Sequence, residues 1–430
     1  ATGVSDLAIV KSGDAVLVTT FEGSQSVRSI EQFLAKTTLA GEPNADLKGF
    51  APSSHRFTTW MREYALPLWA EHGWDRERGG FREFLGMDGQ PATEPFRRVR
   101  VQARQIFAFA AAHLTGWNGP ALELASEGFE YLVEKSWLPT GGWAHKLDDQ
   151  GRVIDEMRDA YDHAFVLLAF AWLHRATGAS EPLSWADRTL AWLDSVLVDT
   201  RHGGFHESVP GMLPRRANPH MHLLEALLAL YDATRNTSYL DRADRLVQLF
   251  RQRFIDRQSG SLREFFKDDW TPATGDEGQV REPGHHFEWA WLLDRYEARL
   301  GGQCADEITR LAAFADRYGT SDETGLVHDT VDDQGRVLST SHRLWCQTEA
   351  LRAHLMLAER GDENQAVDFA KLMDAVFRFN LSINPIGLWY DQVDLGGNPT
   401  DETVPASTLY HLMTLFWDLD ARFAQSGDER

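Results

Sequence analysis

Cysteine is nearly missing: Cys304 and Cys346 are the only two in 430 residues. That excludes a disulfide framework and fits a reducing compartment. Basic residues are also scarce, 43 Lys and Arg against 64 Asp and Glu for a net charge of −21. Such a balance opposes nucleic acid or an anionic membrane as a partner of the surface as a whole. No apolar run approaches the roughly 20 residues of a membrane span. The first residues lack the basic start, apolar stretch and small-residue cleavage site of a secretory leader, so the cytoplasm is the expected compartment. With 43% apolar residues the chain can still bury a large core.

A glycine element followed by an aromatic or aliphatic residue recurs six times. It stands at Gly80-Phe81, Gly142-Trp143, Gly204-Phe205, Ser261-Leu262 behind Gly260, Gly325-Leu326 and Gly387-Leu388, at intervals of 62, 62, 57, 64 and 62 residues. A period of this size marks one supersecondary unit copied around a closed or stacked array. Between the elements two kinds of apolar segment at helical spacing alternate. The outer kind carries mixed charge on one face, over 56–75, 120–139, 184–199, 238–256, 304–319 and 363–381. The inner kind is apolar on nearly every side, as over 102–112, 164–172 and 223–230, and helices apolar all round are buried helices. Six of each predict an all-α fold, an (α/α)6 barrel of six outer and six inner helices, with an open solenoid as runner-up. The stretches Leu147-Asp-Asp-Gln-Gly151 and Val331-Asp-Asp-Gln-Gly335 predict short hairpins between outer and inner helix, on the face the inner-helix heads share. Residues 1–54 stand outside the period as an N-terminal extension, with strands expected over 6–10 and 15–20, a helix over 26–36 and a polar linker. The barrel is expected to span 55–430.

Aligned on their apolar runs, the inner helices bring Arg104, His163, His222, His285, Cys346 and His411 into one register. In a closed barrel these side chains meet at one mouth. Glu225, Glu288 and Glu349 follow three residues after the head residues of their helices, which puts them on the same face. His222 with Glu225 and His285 with Glu288 therefore form carboxylate–imidazole pairs, in which the carboxylate fixes tautomer and orientation. Helix N-termini aimed at the cavity lower histidine pKa values, so neutral imidazoles able to take protons are expected. Arginines crowd the same places, at Arg97, Arg98, Arg100, Arg158, Arg215, Arg216, Arg281 and Arg343. They read as a positive rim for an anionic intermediate or phosphorylated ligand, or as partners of the Asp-rich hairpins. His163 likewise has two readings, a site residue or a core histidine held by Asp162. Cys346 reads as a small core residue. Trp345 and Trp389, near loops or helix heads, can stack on a sugar ring. The His-x-x-Glu order reverses the Glu-x-x-His of di-iron bundles, so neither a metal nor another cofactor is expected.

The motifs Val101-Gln-Ala-Arg-Gln105, Asn218-Pro-His-Met-His-Leu-Leu-Glu-Ala226, Glu282-Pro-Gly-His-His-Phe-Glu-Trp-Ala290, Arg343-Leu-Trp-Cys-Gln-Thr-Glu349 and Tyr410-His411 resemble the N-acylglucosamine 2-epimerase superfamily, which includes cellobiose 2-epimerases, mannose isomerases and sulfoquinovose isomerases. The resemblance implies an (α/α)6 barrel and cofactor-free enediolate chemistry. By motif position it implies that Arg104 contacts the oxygen that becomes the enediolate and that His285 and His411 are the acid/base pair. His222 and Asn218 would position the sugar, and Glu288 would support His285. Tyr161, Glu225, His163, Trp345 and Trp389 complete the expected substrate contacts. The Asn218 to His222 motif looks closer to the mannose and sulfoquinovose isomerase branch. A departure is the run Pro405-Ala-Ser-Thr-Leu-Tyr410 before His411, where a Gln or another polar contact is expected in isomerases. Residues 1–36, with Gly3-Val-Ser-Asp-Leu-Ala-Ile-Val10, resemble the C-terminal end of a mannose-1-phosphate guanylyltransferase domain without its Gly-rich nucleotide loop.

The expected activity is aldose–ketose isomerisation of mannose or mannose 6-phosphate. The expected partners are a small-molecule sugar or sugar phosphate and a second copy in a homodimer. The alternatives are a 2-epimerase, a non-catalytic sugar-binding barrel, or an (α/α)6 glycoside hydrolase. The last needs two carboxylates about 5 to 9.5 Å apart, for which Glu225, Glu288 and Glu349 are candidates.

Overall fold

The computed structural model describes residues 7–12, 15–20, 45–93 and 95–423. Among these residues twelve long helices alternate outer and inner. The outer ones are α1 (Ala51–Trp60, continued by Met61–Ala65 and Leu66–His72), α3 (Ala121–Ser136), α5 (Glu181–Trp192 with Leu193–Leu197), α7 (Ser238–Leu249 with Phe250–Phe254), α9 (Ala305–Tyr318) and α11 (Gln365–Phe379). The inner ones are α2 (Val99–Leu114), α4 (Ala160–Thr177), α6 (Asn218–Thr234), α8 (Pro283–Leu300), α10 (Leu344–Glu359) and α12 (Leu409–Phe423). The apolar pattern decides which is which. In α7 the buried positions Tyr239, Leu240, Ala243, Leu246 and Val247 form one stripe, whereas α4 buries every residue from Asp162 to Leu173. Local signals set the ends. Asp159 accepts the Tyr161 N–H at 2.8 Å to cap α4, and Gly178, at φ 71°, ends it.

Inner helices pack in sequence order, and α12 returns to α2, so the ring closes and the solenoid alternative falls away. Each outer helix packs on the inner helix before it, and α1 covers α12.

Short strands finish one end of the barrel, with a pairing the sequence did not suggest. Apart from the hairpin of Lys146–Leu147 with Val153–Asp155, the main pairings join neighbouring repeats. Arg97–Arg98 pairs with Lys146–Leu147, Arg158–Asp159 with Ser208–Val209 and Arg215–Arg216 with Phe265–Phe266. Arg281 bridges Val331, Ser341–Arg343 pairs with Gln392–Asp394, and Thr403–Pro405 returns to Phe84–Gly86. Six junctions make a closed collar over the inner-helix heads.

In the N-terminal extension Leu7–Ser12 and Ala15–Thr20 form an antiparallel hairpin. The helix expected over 26–36 lies outside the described residues. No helix among those described is long and apolar enough to cross a membrane.

Candidate active site

Two sets of residues at the inner-helix heads do different work, and the single register drawn from sequence mixes them. One set holds the glycine elements. Gln102 Oε1 accepts the Phe81 N–H at 2.7 Å, His163 Nε2 that of Trp143 at 3.1 Å, His220 Nε2 that of Phe205 at 2.9 Å, His286 Nε2 that of Leu262 at 2.8 Å and Gln347 Oε1 that of Val327 at 2.7 Å. The close approach needs glycine: a Cβ on Gly204, itself at φ 71°, would lie 2.8 Å from His220 Nε2. His163 is therefore a structural residue and not a sugar contact. It is fully buried, stacks on Trp192 with ring centroids 4.6 Å apart, and its Nδ1 donates to the Asp159 carbonyl at 2.7 Å. Burial lowers its pKa to about 4 and keeps it neutral. Its counterparts are His220 and His286, while His222 lies two residues beyond this set and His285 one before it.

The second set converges. Trp345 has its ring centroid 4.9 Å from that of His285 and 5.6 Å from that of His411. Tyr410 lies 4.5 Å from His411 and 6.1 Å from His222. His222 is 5.1 Å from Tyr161, whose hydroxyl accepts a hydrogen bond from Arg104 Nη2 at 2.7 Å. Residues from α2, α4, α6, α8, α10 and α12 thus form one continuous cluster.

Electrostatics separates the two histidines beside Trp345. Around His285, Glu264 Oε2 is 3.0 Å and Glu282 Oε2 3.6 Å from Nδ1. Burial alone would lower its pKa, but these carboxylates outweigh it and push it up to about 10. His285 is an imidazolium at neutral pH, which corrects the expectation of a neutral ring. Asn218 Nδ2 lies 3.1 Å from His285 Nε2, and Asn218 Oδ1 is buried without a partner. Turning the amide over lets that oxygen accept the imidazolium N–H and satisfies both groups. At His411, burial lowers the pKa to about 4 against the opposing pull of Glu349, whose Oε1 is 2.8 Å from Nδ1. Arg352, 2.6 Å from Glu349, neutralises that carboxylate. His411 is neutral, with Nδ1–H on Glu349 and a free lone pair on Nε2.

Glu288 acts on His285 through its charge and not through a hydrogen bond. Its Oε1 lies 3.7 Å from His222 Nδ1, and both its oxygens are buried without a hydrogen-bond partner. Burial, then Glu349 and Glu225, hold its pKa well above the ordinary carboxylate value. Glu225 is not a free sugar ligand, because Oε2 takes the Tyr410 hydroxyl at 2.5 Å and lies 3.2 Å from His222 Nδ1. Trp389 is a core residue, fully buried and stacked on Trp69 with centroids 4.9 Å apart. Cys346 is buried, as expected.

Glu264, which the sequence reading missed, has a signal just after the glycines. An acid three or four residues on, at Glu83, Glu207, Glu264, Asp329 and Asp391, stands in five of the six repeats. Most rim arginines pair with this set or with the acids before it: Arg97 with Asp75, Arg98 with Glu83, Arg215 with Asp199, Arg216 with Glu207 and Arg343 with Asp329. Of the two readings of the rim, paired arginines prevail, although their partners here are these acids and not the Asp-rich hairpins. Arg104 differs, with no carboxylate partner among the described residues and with Nε buried and unbonded. Two groups among the described residues could hold an ion, His222–Glu225–Glu288 and Glu264–Glu282–His285, each with ligand atoms within 4.8 Å of one another. An ion at the second would have to displace the His285 proton.

The comparisons bear on the family and the fold. Residues 79–415 match the family model described as N-acylglucosamine 2-epimerase (GlcNAc 2-epimerase). The chain is 37% identical over 371 residues to a protein of Rhizobium meliloti (strain 1021) named mannose-6-phosphate isomerase, covering 84% of this chain and 95% of the other. Among solved structures it resembles a D-mannose isomerase, with TM-score 0.76, 25% identity and coverage of 88% and 99%. It also resembles the cellobiose 2-epimerase of Spirochaeta thermophila DSM 6192, with TM-score 0.79, 23% identity and coverage of 89% and 100%.

Proposed function

The chain belongs to the N-acylglucosamine 2-epimerase family, and on that premise we propose that it is an aldose–ketose isomerase interconverting mannose or mannose 6-phosphate with fructose or fructose 6-phosphate. The names of the relatives support a sugar isomerase or epimerase. The observation that carries the acid/base reading is the pair of histidines on either side of Trp345, one biased to hold a proton and the other to lack it. Groups whose environments push their pKa values apart divide acid and base work between them.

Ring opening needs a proton for the ring oxygen, which His285 gives, and the proton leaving the O1 hydroxyl returns to His285 and restores its imidazolium. The open aldehyde acidifies the C2–H bond, and His411 Nε2 removes that proton while Glu349 stabilises the imidazolium that forms. The charge left on O1 of the cis-enediolate meets the Arg104 guanidinium and the His285 imidazolium. His411 returns its proton to C1, and the O2 hydroxyl proton is exchanged for one on O1, which completes the ketose. Asn218, His222 and Tyr161 orient the sugar.

A second reading, 2-epimerisation, is favoured by the same two histidines if they reach opposite faces of C2. Hydrolysis is disfavoured, because Glu225 and Glu349 are held by Tyr410 and Arg352 and are not free as an acid/base pair. The test is NMR of mannose and of mannose 6-phosphate turned over in heavy water with EDTA present. Ketose that carries deuterium at C1 supports the isomerase. Glucose configuration with deuterium at C2 and no ketose moves the assignment to the epimerase. Turnover that survives His411→Ala refutes both.

A further inference from the structure

The mouth of the barrel is electrically lopsided. On the side of α8, α10 and α12 stand Glu264, Glu282, Asp329 and Asp391, against Arg343 and the His285 imidazolium. The opposite side, formed by α2, α4 and α6, has three guanidiniums around one phenol. Arg100 and Arg104 are four residues apart on α2, hence on one face, and lie 5.9 and 5.7 Å from the Tyr161 ring centroid. Arg216, at the head of α6, approaches from the far side through Asp159, 3.6 Å away.

The counter-charges of Arg100 and Arg104 are weak or engaged elsewhere, while Arg216 spends its Nε on Glu207 at 2.7 Å and keeps its Nη groups for another acceptor. Asp162 faces Arg100 at 3.3 Å but also binds His145 at 2.6 Å. Burial, then repulsion from Asp162, pushes Asp159 up to about 6, so part of its charge is missing near neutral pH. Among the described residues Arg104 has no carboxylate partner, and its buried Nε has no acceptor. Arg216 leaves about a third of its side chain exposed and Arg100 a fifth. A guanidinium offers five donors, and one hydrogen bond is formed by the Arg100 side chain. Donors therefore step from the buried Arg104 outward along Tyr161 to solvent, across the barrel from Trp345.

We propose that Arg100 and Arg216, continuing outward from Arg104, receive a phosphate monoester at the end of the sugar remote from C1 and C2, so that the preferred substrate is a phosphorylated aldose. This rests on the isomerase reading above, in which C1 and C2 lie between His285 and His411. Bidentate guanidinium contacts give such an anion both attraction and orientation, and the acidic sector opposite rejects the reversed pose.

The test compares mannose 6-phosphate with mannose in the wild type, Arg100→Gln, Arg100→Lys and Arg216→Gln. Steady-state kcat/KM and calorimetric titration are measured for each. The wild type should favour the phosphorylated sugar, and the ratio of the two kcat/KM values should fall at least tenfold in Arg100→Gln and in Arg216→Gln. Arg100→Lys should recover part of the loss. Inorganic phosphate should compete with mannose in the wild type, and less well in Arg100→Gln. A ratio that stays constant, even in weakened variants, overturns the proposal, as does a wild type that binds mannose at least as tightly as its 6-phosphate. If neither sugar yields ketose the isomerase reading fails, and the calorimetric ratio still decides whether this sector holds a phosphate.

Discussion

Replacing Glu264 with Gln removes one negative charge 3.0 Å from His285 Nδ1 and leaves an amide oxygen able to accept the same hydrogen bond. Two unit charges at that distance, in a protein of effective dielectric about 20, attract by about 5.5 kcal/mol. At 1.36 kcal/mol per pKa unit that is about 4 units, so the His285 pKa should fall from about 10 to about 6, held there by Glu282. The wild-type pH profile of kcat/KM follows from both histidines. Activity falls as pH drops towards about 4, where His411 gains a proton and ceases to be a base, and as it rises towards about 10, where His285 loses its proton. Between these limits the profile is flat. Glu264→Gln should leave the acid limb in place and bring the alkaline limb down by several units, which turns the plateau into a narrow bell. The assay is ketose formation across a wide pH range, with circular dichroism at each extreme. An alkaline limb that does not move, or an acid limb that moves instead, would refute the assignment of His285 as the acid.

Three other outcomes follow from the same geometry. His411→Asn should lower kcat by about 100- to 10,000-fold, the range for a lost general base, with the thermal midpoint preserved. Trp389→Ala should cost about 3 to 5 kcal/mol in urea unfolding, since the ring is fully buried against Trp69; unchanged stability with a raised KM would return Trp389 to the sugar. His163→Leu strips the Trp143 N–H of its buried acceptor, at about 1 to 3 kcal/mol, and hydrogen exchange at that amide should accelerate.

The architecture was readable because it rests on periodicity. Six glycine elements and two kinds of apolar segment are local patterns, and their ordering into a closed ring follows from how all-apolar helices are buried. The collar was not readable: two- and three-residue strands carry almost no propensity signal, and their partners lie a full repeat away. The site was recovered unevenly for a similar reason. Arg104, His222, His285 and His411 stood out by residue type, and they do converge. Residue type failed for His163, since a histidine that accepts a backbone N–H and one that faces substrate look alike in sequence. Only the hydrogen bond to Trp143 separates them. Trp389 failed because nearness to a loop says nothing of which side of the collar a ring occupies.

The opposite charge states of His285 and His411 can be traced to one substitution within the repeat. In the first, third and fifth repeats, the acid after the glycine accepts the backbone N–H of an arginine at the head of the inner helix and pairs with its guanidinium. Glu83 does so with Arg98, Glu207 with Arg216 and Asp329 with Arg343. The fourth repeat keeps the acid, Glu264, but has Glu282 where the arginine would be; Arg281 beside it bridges Val331 as Arg97 pairs with Leu147. Two carboxylates without an arginine of their own repeat then face the next ionisable group, His285, and hold its proton. His411 also rests on a carboxylate, Glu349, but Arg352 has already cancelled that charge, so burial prevails and the ring stays neutral. The two histidines therefore differ in how far the carboxylates beside them are already neutralised by a guanidinium.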